Sequence, residues 1–272
     1  MKNMFYKTEN KGVTLAKSGL MEAEQSVRHC FTTRLGGVSS GCWASLNMGF
    51  SRGEDRDIVL RNYNLVCEAA GLNFSRLTRT NQKHGTVVTE VTDGNVGCGF
   101  FEPSFDPTDA LITKLADTPI VVHTADCVPV LFYDRVNRAI GAAHAGWRGM
   151  AAGVIEATIN AMEKAYGTDA ADVVAAVGPC IGPCCFEVDD DVADVFIHDF
   201  GEGVLVTPEC GEKVRVDLPK CAFEALTGRG VPEKNIDISG ECTKCSETYY
   251  YSHRRQGEQR GSQVAIIQIS GR

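Results

Sequence analysis

The chain has 272 residues, 43% of them hydrophobic and 23% charged, and carries a net charge of −8. That length can bury a large core, and the composition is too apolar for a disordered segment. An acidic chain without a basic footprint excludes nucleic acid as the principal partner, although a local group of arginines can still hold a small anion.

No run approaches the roughly 20 apolar residues of a membrane span. Met1-Lys2-Asn3-Met4-Phe5-Tyr6 also lacks the apolar stretch and cleavage site of a signal peptide. The expectation is a cytoplasmic chain with no membrane partner. Twelve cysteines are then expected to be reduced, most of them as small buried hydrophobes.

Neither an internal repeat nor a Pro/Ser-rich linker divides the sequence, so residues 1–272 read as a single domain. Residues 32–41 form a Gly/Ser-rich loop in which Arg34 stands beside Gly36-Gly37. A guanidinium and bare backbone amides together suit an anion. Residues 57–70 carry apolar positions at helical spacing, and Gly71 supplies a C-cap.

Short β-rich runs follow at residues 86–91, 110–113, 120–123, 129–133 and 138–144. Residues 149–166 are predicted as one helix stopped by Gly167, and residues 190–200 as another. Residues 173–177 and 264–269 add two strands. Many strand connections are too short for a helical crossover. The expected fold is therefore α+β, a single domain with a mixed β-sheet flanked by helices.

Three reactive side chains fall at element ends, where loops meet a rigid scaffold. His84 lies in Asn81-Gln82-Lys83-His84-Gly85, Cys127 in Thr124-Ala125-Asp126-Cys127-Val128-Pro129, and His144 in His144-Ala145-Gly146-Trp147-Arg148-Gly149. Two imidazoles and a thiolate are a donor set for an open catalytic zinc. Their spacing matches no compact zinc signature, and two satisfied loop histidines with a buried thiol fit it too.

Cys242-Thr243-Lys244-Cys245 is a CxxC, and Cys180, Cys184 and Cys185 contain enough sulfur to complete a four-cysteine zinc site with it. Against that stands the reading of all five as structural thiols, mostly buried and without a disulfide, which is the expectation adopted. Arg148, after Trp147 at a helix start, and Arg254-Arg255 are further anion candidates. Asp109, before the apolar run Ala110-Leu111-Ile112-Thr113, is a candidate general acid or base, or else a turn residue.

These motifs, in this order, together with Gly178-Pro179-Cys180-Ile181-Gly182, resemble the laccase-domain, or YfiH-type, family of purine nucleoside phosphorylases and polyphenol oxidases. The likeness runs from about Phe31 through the last strand. It implies a metal held by His84, Cys127 and His144; zinc is preferred to copper because a mononuclear copper on that set wants a weak axial Met and none of the six methionines lies in these motifs. It also implies phosphorolysis of adenosine, inosine, guanosine and methylthioadenosine, and deamination of adenosine.

On this reading Cys127, Asp109 and Arg34 are the catalytic residues. Nucleoside and phosphate are the partners, contacted by Arg34, Asn47, Gln82, Arg148 and Arg254. His253 stands where the family often has an aromatic residue, and it is not counted as a ligand.

Three other classes remain. A copper polyphenol oxidase is disfavoured, because six histidines, several in unrelated contexts, do not furnish a blue-copper centre and a trinuclear cluster. A thiol hydrolase with Cys127 as nucleophile and a histidine base would suit editing of peptidoglycan precursors. A non-enzymatic nucleoside-binding protein is the weakest, since a three-ligand site with an open position has chemistry to do.

Overall fold

A computed structural model describes residues 5–206 and 213–271, so the opening Met1-Lys2-Asn3-Met4 and Cys210 lie outside the described residues. The strands are β1 (Tyr6–Asn10), β2 (Val13–Lys17), β3 (Val27–Thr32), β4 (Thr78–Arg79), β5 (Val88–Glu90), β6 (Ala110–Thr113) and β7 (Ile120–Thr124). They continue as β8 (Val128–Asp134), β9 (Ala139–Ala145), β10 (Val173–Val177), β11 (Leu205–Val206), β12 (Arg215–Val216), β13 (Ile236–Ile238) and β14 (Gln263–Ile269). The helices are α1 (Gly19–Glu22), α2 (Arg56–Ala70), α3 (Trp147–Ala151), α4 (Val154–Tyr166), α5 (Asp190–Phe200), α6 (Leu218–Gly228) and α7 (His253–Gln256).

The expected α+β class holds, with one correction. The strands form two stacked mixed sheets instead of one, ordered β1-β2-β3-β14-β7-β4 and β13-β10-β8-β9-β6-β5, beside a small β11-β12 hairpin. Pairs β4·β7, β5·β6 and β10·β13 are parallel and the other pairings antiparallel.

The reason lies in the apolar runs. A strand buried on both faces is apolar at every position rather than at alternate ones. On β14, Ala265 and Ile267 face the second sheet, joining Phe31, Leu131 and Ile140 between the sheets. Val264 and Ile266 face outward, against Val59, Tyr63 and Val66 of α2. On the far side, Val130 and Phe132 of β8 pack beneath Ile155, Ile159 and Met162 of α4 and Leu226 of α6. The order of layers is helix, sheet, sheet, helix.

Local signals explain the helix ends. Asp55 caps α2 by accepting from the Asp57 and Ile58 amides, and Gly71 ends it in the left-handed region at φ 68°. The single helix predicted over residues 149–166 is instead two, α3 and α4, parted at Gly153 with φ 85°. That backbone is left-handed and cannot continue a right-handed helix. Strands β1 to β3 and helix α6 were not among the predicted elements.

Candidate metal centre

The site is assembled around one buried carboxylate. Asp109, 1% exposed, stands just before β6. Its Oδ2 accepts from the Lys83 and Gly85 amides at 3.0 and 2.8 Å, and its Oδ1 from the His84 amide at 2.9 Å. Oδ1 also receives Nδ1 of His144 at 2.9 Å. One side chain therefore fixes the loop carrying His84 and turns the His144 ring so that Nε2 is left for another partner. Burial alone would raise the Asp109 pKa, but the bonds from His144, Gly85 and Lys83 hold the carboxyl below its usual range.

His144 is on β9, and its Cα is paired in register with Pro129 of β8, two residues beyond Cys127. Cys127 closes the short connection between β7 and β8, beside Asp126 at φ 90°. His84 itself sits at φ 61°. A Cβ on Gly146 would come within 2.2 Å of the His84 Nδ1, so the bare glycine admits that ring. The His84 and His144 rings meet edge to face with centroids 4.8 Å apart.

The ligand atoms of His84, Cys127 and His144 all lie within 4.8 Å of one another. Burial pushes the Cys127 thiol up, but its interactions with His144 and then His84 outweigh that and bring the thiol below its ordinary value. The same pairing, with Asp109, raises His144 against the burial that would lower it. Two imidazoles and an easily ionised thiol, one ring oriented by a carboxylate, fit a zinc-type ion with an open side.

The three donors lie in the wall of a cavity of about 890 Å³. Arg52, Arg79, Lys83, Arg148, Arg254 and Arg260 also line it, against the carboxylates of Asp126 and Glu258. A chain of net charge −8 thus concentrates cations at this one opening. Arg260 is the most constrained of them. It is 5% exposed, its Nη1 donates to the Gly261 carbonyl at 2.9 Å and the Ser262 hydroxyl at 3.2 Å, and its buried Nε has no hydrogen-bond partner. Burial, then the neighbouring Arg52, lower its pKa to about 10, which leaves it charged at neutral pH.

Several expected contacts need correction. Arg34 does not line the cavity; its Nε and Nη2 donate to the Ala44 carbonyl at 3.1 and 2.8 Å, and its guanidinium lies 4.8 Å from the Tyr251 ring. Asn47 is fully buried and absent from the lining, bonding Gly49, Glu54 and the Ser262 amide. Both fasten the loop that the sequence offered as an anion site. Gln82 does reach the wall, but its amide exchanges bonds with the His123 backbone at 2.7 and 2.9 Å.

Asp109 has all its near partners within the protein and an ionised carboxyl, so it orients other groups and is not placed to protonate a leaving base. Arg148 and Arg254 do line the cavity. Sequence reasoning missed Arg52, Arg79, Lys83 and Arg260. No motif marked the three arginines, and Lys83 stood in the His84 motif without a role; their convergence in one cavity wall gives them meaning.

Three comparisons with known proteins agree on the family. The family model described as multi-copper polyphenol oxidoreductase laccase matches residues 28–270. "Purine nucleoside phosphorylase YlmD" of Geobacillus stearothermophilus is 35% identical over 240 residues, covering 87% of this chain and 88% of that protein. The crystal structure of YlmD from that organism superposes with a TM-score of 0.91 at 31% identity, over 99% of this chain and 100% of that one. The crystal structure of the Bacillus licheniformis hypothetical protein YfiH does so with a TM-score of 0.90 at 29% identity, over 98% and 100%. The chain belongs to this laccase-domain, YfiH-type family.

Proposed function

We propose that the chain is a zinc-dependent purine nucleoside phosphorylase acting on adenosine, inosine, guanosine and methylthioadenosine, with adenosine deaminase activity. Residues 1–272 would act as one domain, in the cytoplasm. The observation that carries the reading is the joining, in one cavity, of a three-donor metal group to a set of six cations. A nucleoside and an inorganic phosphate need both a roomy pocket and concentrated positive charge.

His84, Cys127 and His144 would hold the ion, and when bound it supplies Lewis-acid polarisation. The chain's own residues do the rest. Arg260, with Arg52 beside it, is suited to hold phosphate toward C1′ of the ribose. A phosphate oxygen bonds to C1′ as the C–N bond breaks, and the electron pair leaves with the base. Trp147 in the wall is the aromatic candidate for the purine, since the Phe50 ring is already stacked on Tyr63 and covered by Arg56 and Arg79. Deamination is a different substitution, in which water adds at C6 of adenine and the amino group leaves as ammonia, and it makes no demand on the anion site.

Zinc is favoured over copper by where the histidines lie. His29 is buried and accepts from the Ser18 amide, while the Nε2 of His123 is engaged by the Tyr63 hydroxyl and the Met48 carbonyl. His198 stands on α5, and His253 on α7 lines the cavity, as His123 does, without joining the three-donor group. That distribution leaves only two imidazoles for the metal group, far fewer than a multicopper oxidase requires.

The decisive assay follows release of base and ribose 1-phosphate from adenosine and inosine, with and without phosphate, beside metal analysis of fresh protein. Phosphate-dependent release by zinc-loaded protein supports the reading; phosphate-independent turnover alone would refute phosphorolysis. One observation favours a second reading, hydrolysis by Cys127. Sulfur, His144 and Asp109 form a nucleophile–base–carboxylate chain, as a thiol hydrolase would use. That reading predicts amide cleavage that survives complete chelation of metal.

A further inference from the structure

Away from the cavity's donor group, the sulfurs of Cys184, Cys185, Cys242 and Cys245 lie within 4.8 Å of one another. Two turns deliver them. In the first, the Cys185 and Phe186 amides donate to the Gly182 carbonyl at 2.9 and 3.0 Å. In the second, the Ser246 amide donates to the Cys242 carbonyl at 2.9 Å. A bridge between Cys180 and Cys242 sets the two segments side by side, with the Thr243 amide donating to the Cys180 carbonyl at 2.9 Å.

The Cys242 sulfur accepts backbone N–H groups from Gly182, Lys244 and Cys245. Gly182 is pressed against the cluster: a Cβ there would stand 3.2 Å from the Cys242 Cβ and 3.5 Å from the Cys184 sulfur.

We propose that Cys184, Cys185, Cys242 and Cys245 form a second metal site, a closed four-thiolate site for a structural zinc ion. Zn–S bonds near 2.3 Å put the corners of a tetrahedron about 3.8 Å apart. The Cys245 sulfur lies 3.6 Å from that of Cys184 and 3.4 Å from that of Cys185. Those separations are near the tetrahedral edge and well beyond the ~2.05 Å of a disulfide. Binding releases the thiol protons to solvent as four Zn–S bonds form, with no oxidant required.

Four sulfurs fill the coordination sphere, so the ion's role is mechanical. Ile181 and Phe186, flanking the first turn, line the cavity. From the second turn, the Thr243 hydroxyl donates to Asp126 Oδ1 at 2.6 Å, next to Cys127. Arg255 Nη1 donates to the Thr243 and Lys244 carbonyls at 2.9 and 2.6 Å. An ion at the four sulfurs would thus clamp a segment that walls the catalytic cavity to one that bonds Asp126 beside Cys127. The expectation of five equivalent structural thiols is narrowed: Cys180 stays in the core, while Cys184 and Cys245 are exposed.

The test is a cobalt(II) titration of the reduced, metal-free full chain. Wild type should bind two equivalents. A His84→Ala/Cys127→Ala variant, which keeps all four sulfurs, should bind one and show the intense sulfur-to-cobalt absorption of a tetrathiolate site. Cys245→Ser should also bind one equivalent, with that absorption reduced to what a single thiolate gives. The proposal is overturned if the His84→Ala/Cys127→Ala chain binds no cobalt. It also fails if alkylation of protein purified without reductant finds Cys245 disulfide-bonded to Cys184 or Cys185. Neither readout uses enzyme activity, so failure of the phosphorylase reading would leave the outcome standing.

Discussion

Two clusters of sulfur-bearing donors, one built from a strand and two loops and the other from two turns, differ in their surroundings. His84, Cys127 and His144 open onto a large cavity lined by cations. Cys184, Cys185, Cys242 and Cys245 are folded between two turns, with Gly182 against them. Three donors of mixed type leave an approach for a reactant; four sulfurs close it. Donor number and the space around the donors separate chemistry from bracing more clearly than residue type does.

The comparison breaks most visibly at Asp109. Asp109→Asn should weaken metal binding at the open group by about 10- to 100-fold, because His144 loses the carboxylate that orients it. Binding at the four cysteines should be unchanged. Metal analysis after dialysis at graded chelator strength measures both, and parallel loss from the two groups would contradict the separation.

Next in size is the anion contact. Arg260→Ala should raise the phosphate KM of phosphorolysis by about tenfold or more, since a charge-assisted hydrogen bond contributes roughly 1.5–3 kcal/mol. Adenosine deamination should hardly move. Equal loss of both activities would mean that Arg260 supports the cavity wall and does not bind phosphate.

Acid should act on the scaffold of both groups alike. Burial holds His29 and His123 neutral, each with its pKa lowered to about 3. Between about pH 6.5 and pH 3 the unfolded chain therefore binds protons that the folded chain refuses. The contribution of these two histidines to stability is complete above pH ~6.5 and is lost as the pH drops toward 3. Denaturant titrations at pH 7 and pH 4.5 check the direction, and a pH-independent midpoint would exclude it.

The smallest effect is expected at Arg34. Its removal should cost about 1 kcal/mol of stability, from lost carbonyl bonds and the contact with Tyr251, and leave the phosphate KM unchanged. A raised KM would return the loop to the substrate site.

Much of the fold was legible because local and global signals agree. Helix α2 follows from an aspartate cap, apolar spacing and a terminal glycine, and β6 and β10 coincide with their predicted runs. Strands β1 to β3 escaped because their burial is uneven, from mostly exposed in β1 to mostly buried in β3. The His84, Cys127 and His144 motifs were readable as metal donors. Arg34 misled because glycine and arginine together look alike whether the guanidinium meets an anion or a backbone carbonyl.

By itself the sequence determined the elements and the donor chemistry: apolar runs specify strands, caps end helices, and histidine and cysteine have fixed ligand properties. Only the tertiary structure decided that the sheets are two, that Asp109 serves as the hub of the site, and that Arg260 and not Arg34 faces the cavity. The physical reason is that strand pairing brings residues distant in the chain to within hydrogen-bonding reach. No local pattern encodes which of several arginines will find its partners already supplied.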